Sequence, residues 1–172
     1  AWVDENTKPN PLNSKARARL LCEERYHTLE SRGVNVSALR IPAIYSEQRG
    51  LRQALASKNF RMLDGGTAFS NRIHVDDLVE VLAVLLTWPL RERLPAVIPI
   101  CDDEPVPYAE IVKFYCDTFK LPMPVSVARK DVSPHELTHF MTDQRVSNKL
   151  MKSLGVKLKF PSYKTLPEES YD

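Results

Sequence analysis

Apolar and aromatic residues at Leu20, Leu21, Tyr26 and Leu29, with charged residues between them, predict an amphipathic helix over 16–31. Ser14 suits its N-cap and Gly33 its end. Val34, Val36, Leu39 and Ile41 follow, partly β-branched, and predict a strand over 34–41 that Pro42 stops. A short helix is expected over 51–58, a strand over 60–63 and a turn at Asp64-Gly65-Gly66. Residues 73–75 read as extended. Asp76 is placed to cap a helix over 77–87 that Trp88-Pro89 ends.

The second half repeats the alternation. A strand is expected over 96–101, and Pro107 stands at the first turn of a helix over 108–119. The tract 121–124 reads as a linker, 134–141 as a helix and 148–154 as another, with Gly155 at its end. The segment 1–13 reads as a loop and the polar stretch from Pro161 as a surface extension. Strands alternating with helices point to an α/β chain, here one unit over 1–172 without internal repeats.

At 172 residues the chain is long enough for one real core. Its net charge of +2 is too near neutral to argue for a nucleic-acid or membrane partner. Cys22, Cys101 and Cys116 are odd in number and widely spaced. They fit small buried residues in a reducing compartment, cytoplasmic or inside an organelle, rather than a disulfide framework. The apolar run 78–86, broken by Glu80, falls short of the ~20 residues of a membrane span, so a soluble protein is expected. The opening Ala1-Trp2-Val3-Asp4 has neither Met nor a signal-peptide pattern, as expected if processing, proteolysis or a start within a longer protein set it.

Four tracts run in an informative order. They are Leu39-Arg40-Ile41-Pro42-Ala43-Ile44-Tyr45, Arg72-Ile73-His74-Val75-Asp76-Asp77-Leu78, a strand followed by Asp102-Asp103 and a proline-started helix, and Leu154-Gly155-Val156 with Phe160-Pro161-Ser162-Tyr163. Taken together they resemble the C-terminal half of an extended short-chain dehydrogenase/reductase (SDR). The opening W-V-D-E and Arg145-Val146-Ser147-Asn148 resemble an atypical, NAD-dependent epimerase/dehydratase-like branch. The resemblance implies the C-terminal part of a Rossmann-like parallel sheet with a small α+β substrate lobe. The G-x-G-x-x-G turn that brings backbone to a dinucleotide pyrophosphate does not precede these tracts. The N-terminal dinucleotide-binding half is therefore expected to be absent, and a partner chain or larger assembly to supply it.

What the family does implies the roles. Its first helix here should carry Tyr-x-x-x-Lys, the Tyr moving a proton and the Lys lowering its pKa and holding the nicotinamide ribose. Lys15 and Arg19 occupy those positions, with Glu23 four residues on. Arg cannot give up its proton at working pH. Three readings stay open: a lysine base depressed by the neighbouring charge, a phosphate or ribose contact from Arg19, and a basic helix start with no catalytic role. NAD or NADP is the implied cofactor, with Arg19, Pro42, Ala43 and Ile44 at the cofactor positions. Arg49, Arg72 and His74 match positions near the substrate pocket, although His74 also reads as a hydrogen-bonded structural histidine.

His135-Glu136-Leu137-Thr138-His139 is a literal H-E-x-x-H, which on a helix sets two imidazoles on one face for zinc. Pro134 directly precedes it, its flanks are polar and no third ligand is evident, so no metal is assigned. Three function classes follow. The first is NAD(P)-linked epimerase-like chemistry on a nucleotide-sugar or small polar substrate, with the missing half supplied. The second is a non-catalytic structural or accessory subunit on the same scaffold. The last is a zinc peptidase.

Overall fold

The computed structural model describes residues 1–57, 59–133 and 143–165. In chain order the elements are β1 (Trp2–Val3), α1 (Ser14–His27), β2 (Ala38–Arg40), β3 (Ala43–Tyr45), α2 (Leu51–Ala56), β4 (Arg61–Leu63), β5 (Phe69–Ser70), β6 (Arg72–His74), α3 (Val75–Leu86), β7 (Val97–Pro99), β8 (Val106–Pro107), α4 (Tyr108–Phe119), β9 (Val125–Val127), β10 (Arg145–Val146) and α5 (Lys149–Ser153). Short 3-10 turns follow α1, β4 and β9.

The strands pair two by two: β1 with β10, β2 with β7, β3 with β6 and β4 with β9, all parallel, and β5 with β8 antiparallel. The chain is thus a mixed α/β fold with a partial Rossmann-like sheet, as the alternation implies. In the β2–β7 pair Leu39 lies opposite Ile98. The Ala38 N–H donates to the Ala96 carbonyl and the Ile100 N–H to the Arg40 carbonyl, which extends the ladder at both ends.

Two apolar cores form. Ile73, Leu78, Val81, Ile98, Ile100, Met151 and Val156 join α3, β7 and α5, with Leu39 packed against them. Leu55, Met62, Ile111, Val112, Tyr115, Cys116 and Tyr163 join α2, β4 and α4. The buried residues of α4 recur at i, i+1, i+4 and i+5, a helical face, so its bounds match the pattern in the sequence.

Several expectations are corrected. The N-cap of α1 is Asn13, whose Oδ1 accepts the Ala16 N–H at 2.8 Å, and Ser14 is the first helical residue. Beyond His27 the predicted helix tightens into a 3-10 turn that Gly33 ends at φ +80°. α1 buries no residue: Leu21 and Tyr26 are exposed. At about 100° per residue its apolar positions spread around the helix instead of lining one face. Cys22 on this helix is exposed, and all three cysteines are free. The predicted strand 34–41 is ordered as strand only over Ala38–Arg40.

The opening segment is not all loop, because Trp2 and Val3 pair with Arg145 and Val146. The tracts that single out the atypical branch therefore meet. The linker-like stretch leads into β9, which pairs with β4. The stretch from Pro161 is not a surface extension where described: Tyr163 is buried, and Pro161 and Ser162 are half-buried. The H-E-x-x-H tract and the predicted helix 134–141 lie outside the described residues. Among the described residues no helix is long and apolar enough to cross a membrane.

Candidate functional site

The motif tracts converge at the junction of β6 and α3. His74, the last residue of β6, is the N-cap of α3: its Nδ1 accepts the Asp76 N–H at 3.2 Å. Asp76 is therefore not the cap. It sits in the first helical turn, where an acid complements the helix dipole. Accepting at Nδ1 sets His74 as the neutral tautomer protonated at Nε2. Burial lowers its pKa below the ordinary value, and the Asp76 carboxylate, its Oδ2 3.9 Å away, opposes that only in part. The Phe160 ring lies on the imidazole with centroids 3.8 Å apart, and Tyr45 meets it edge-on at 5.1 Å.

Asp77 does the tying. It is fully buried, and its two oxygens accept the backbone N–H groups of Lys159 at 2.7 Å and Phe160 at 2.9 Å. A second set of bonds holds the same tract to the loop after β7. The Asp103 N–H donates to the Pro161 carbonyl at 2.9 Å. Lys164 Nζ donates to Glu104 Oε1 at 2.6 Å, and the Ser162 hydroxyl donates to Glu104 Oε2. Burial works to raise the Glu104 pKa, but the bonds from Lys164 and Ser162 outweigh it and hold it below the usual value. Asn148 Nδ2 reaches the Cys101 and Asp102 carbonyls and Asp103 Oδ1, at 3.1, 3.0 and 2.7 Å.

Under this clasp lies a buried polar group. Arg72 Nη2 donates to the Ser70 carbonyl at 3.2 Å, and its guanidinium carbon sits 5.3 Å from the Tyr163 ring centroid. Asp102 is 1% exposed, and burial pushes its carboxyl up to about 7 although the Arg72 charge pulls the other way. Burial likewise raises the Tyr45 and Tyr108 hydroxyls, the latter to about 12, and the Cys101 thiol to about 12. Tyr45 Oη, Arg72 Nη1, His74 Nε2 and Asp102 Oδ2 have no hydrogen-bond partner among the described residues. Groups so placed are suited to setting backbone and packing, and water bound inside would satisfy them.

The residues singled out from the sequence do not gather at one point. Arg72 and His74 are buried in the junction, whereas Arg49 is exposed beyond β3. Lys15 and Arg19 are exposed on α1. Glu23, one turn on, accepts from Arg40 Nη2 at 2.6 Å and Nε at 3.3 Å, so its charge is spent anchoring α1 to β2. Pro42 is half-buried, and Ala43 and Ile44 are exposed just past the carboxyl end of β2. No group of three potential metal ligands occurs among the described residues. Sequence reasoning missed Asp77 and Asn148 as tethers. The doubled aspartate was the visible signal of Asp77, but its pairing depends on residues 82 and 83 positions away.

No family model and no curated protein matches the chain. Solved structures do. A functionally unknown conserved protein from Silicibacter pomeroyi superposes with a TM-score of 0.82 at 31% identity, over 95% of this chain and 57% of that one. Human epimerase family protein SDR39U1 with NADPH gives 0.79 at 14% identity, over 99% and 59%. UDP-glucuronic acid 4-epimerase from Bacillus cereus with NAD gives 0.72 at 15% identity, over 100% and 57%. The chain has the fold of the C-terminal half of an extended SDR. It spans a little over half the length of these structures. In this SDR-type half, the β6–α3 junction and the tract 160–163 are the parts that close the fold on itself.

Proposed function

We propose that this SDR-type half serves NAD(P)-linked, epimerase-like chemistry on a nucleotide-sugar or other small polar substrate, and does so only when joined to a dinucleotide-binding α/β half. One observation carries the reading. Among the described residues β2 pairs with β7 alone, and the adjacent α1 buries nothing, in a chain that matches a little over half the length of dinucleotide-bound proteins. An isolated helix of this length is marginal in water, and an open parallel edge invites another strand.

The residues present fit one end of the cofactor. Ala43 and Ile44 are exposed just past the carboxyl end of β2, where open α/β sheets receive ligands, and Arg19 offers a cation for ribose or phosphate. The nicotinamide, when bound, supplies hydride transfer. With arginine at position 19, this helix contributes charge rather than the proton relay of the Tyr-Lys pair.

That same replacement favours a second reading, a non-catalytic subunit on an SDR scaffold. Native mass spectrometry of gently purified protein tests both. A companion or longer chain carrying a dinucleotide, with affinity lowered by Arg19→Ala, supports the first. Stable association without a dinucleotide supports the second. A bare chain with neither overturns the cofactor-linked reading.

A further inference from the structure

We propose that Arg145 is a substrate-binding residue and that the group it holds is the carboxylate of a small monocarboxylic acid. The inference rests on the catalytic reading above and narrows its substrate class. Arg40, Arg93 and Arg129 each pair with a carboxylate. Arg145 has no such partner among the described residues. Its Nε is buried without a hydrogen bond, and its guanidinium carbon lies 3.9 Å from the Phe69 ring centroid. The residue is half-buried, so part of it stays open to solvent. A partly desolvated cation without a counter-charge is suited to an anion from outside the chain.

The backbone beneath it is fixed from both edges. The Arg145 N–H donates to the Ala1 carbonyl and the Ser147 N–H to the Val3 carbonyl, both at 2.9 Å. On the other edge Asn71 Nδ2 donates to the Gln144 carbonyl at 2.9 Å, and Asn71 Oδ1 accepts the Val146 N–H at 2.8 Å. Phe69 is held in turn by its own N–H, which donates to Asp143 Oδ1 at 3.0 Å. A planar guanidinium stacked on an aromatic ring and anchored this way loses little freedom when it binds.

Charge and shape select the ligand. Asp143 stands two residues before Arg145, and Asp4 and Glu5 follow the paired Trp2-Val3. A nucleoside diphosphate would bring several negative charges to one cation set among three acids. A single carboxylate matches one guanidinium through two parallel N–H bonds. The strand register sets Trp2 opposite Arg145, so the two side chains leave the same face of the pair, and Trp2 is 60% exposed. Its indole offers a flat apolar surface to the carbon skeleton of the acid.

The test is calorimetry and tryptophan fluorescence on the full chain, purified with any companion. The probes are gluconate, sorbitol as a neutral polyol and uridine diphosphate. Gluconate should bind saturably and quench fluorescence, sorbitol should do neither, and Trp2→Phe should remove the quenching. Arg145→Gln should weaken gluconate at least tenfold with unchanged circular dichroism, and Arg145→Lys should recover part of the loss. Native mass spectrometry of the same sample reads the dinucleotide separately. A retained dinucleotide with gluconate binding indifferent to Arg145 sinks this assignment alone. Binding that depends on Arg145 without any dinucleotide supports the assignment and sinks the catalytic reading alone. The proposal is overturned if uridine diphosphate binds and gluconate does not, or if neither binds. Loss of a companion chain in Arg145→Gln, which would mean that the other half supplies the carboxylate, also overturns it.

Discussion

Asp77 in the third helical position of α3 accepts the backbone N–H of Phe160, eighty-three positions on, while the Phe160 ring lies against His74 at the cap of the same helix. The start of α3 and the F-P-S-Y tract therefore fix each other. Asp77→Asn keeps the shape but leaves one acceptor for two amides and adds a donor with nothing to bond. It should cost about 2–4 kcal/mol, because buried polar groups left unpaired lose their full solvation. Urea unfolding measures this, and a midpoint equal to wild type would remove the tethering role.

Two buried groups give stability opposite dependences on pH. His74 has a folded pKa below its unfolded one, so the unfolded chain takes up protons first. Its contribution is complete above about 6.5 and is lost as pH falls below that. Asp102 is raised from 3.8 to about 7, so the unfolded chain loses its proton first and stability falls as pH rises through that interval. Asp102→Asn should abolish the loss on raising pH from about 4 to 7. His74→Asn, which keeps an acceptor for the Asp76 N–H, should abolish the loss on acidification below about 6.5. Urea midpoints across this pH range separate the two, and unchanged slopes in either variant would count against its assignment.

Gly65 and Gly66 are neighbours with different reasons to be glycine. Both have positive φ, +66° and +68°. A Cβ on Gly65 meets nothing within 4 Å, so Gly65→Ala should cost only the left-handed penalty of about 1–2 kcal/mol. A Cβ on Gly66 would stand 2.6 Å from Met62 Sδ and 2.8 Å from the Ala109 nitrogen, which as backbone cannot yield. Gly66→Ala should cost about 2–5 kcal/mol. Thermal unfolding of the pair checks the order.

The Glu23–Arg40 pair is the tie between α1 and β2, and both side chains are partly buried. Arg40→Ala should destabilise by about 0.5–1.5 kcal/mol, more at low salt than high. Its clearer effect should be local: faster amide exchange along α1, which has no buried residue to hold it. Exchange unchanged in α1 would mean that other contacts carry the helix.

The sequence by itself determined the alternation of strands and helices, the bounds of α4, the end at Gly33 and the order of the motif tracts. These rest on local physics: helical periodicity at 111, 112, 115 and 116, proline at a helix start, and a glycine that tolerates positive φ. Tertiary structure alone decided what the motifs do. Whether Asp76 or His74 caps α3 turns on which side chain the β6 backbone aims at the helix. Whether Asp77 is a tether turns on a tract folded back from residue 159. The amphipathic reading of α1 failed because its apolar positions spread around the helix, so that none of its residues is buried. The pairing of Trp2-Val3 with Arg145-Val146 could not be read locally either, since two-residue strands carry no periodicity and exist only through their partner.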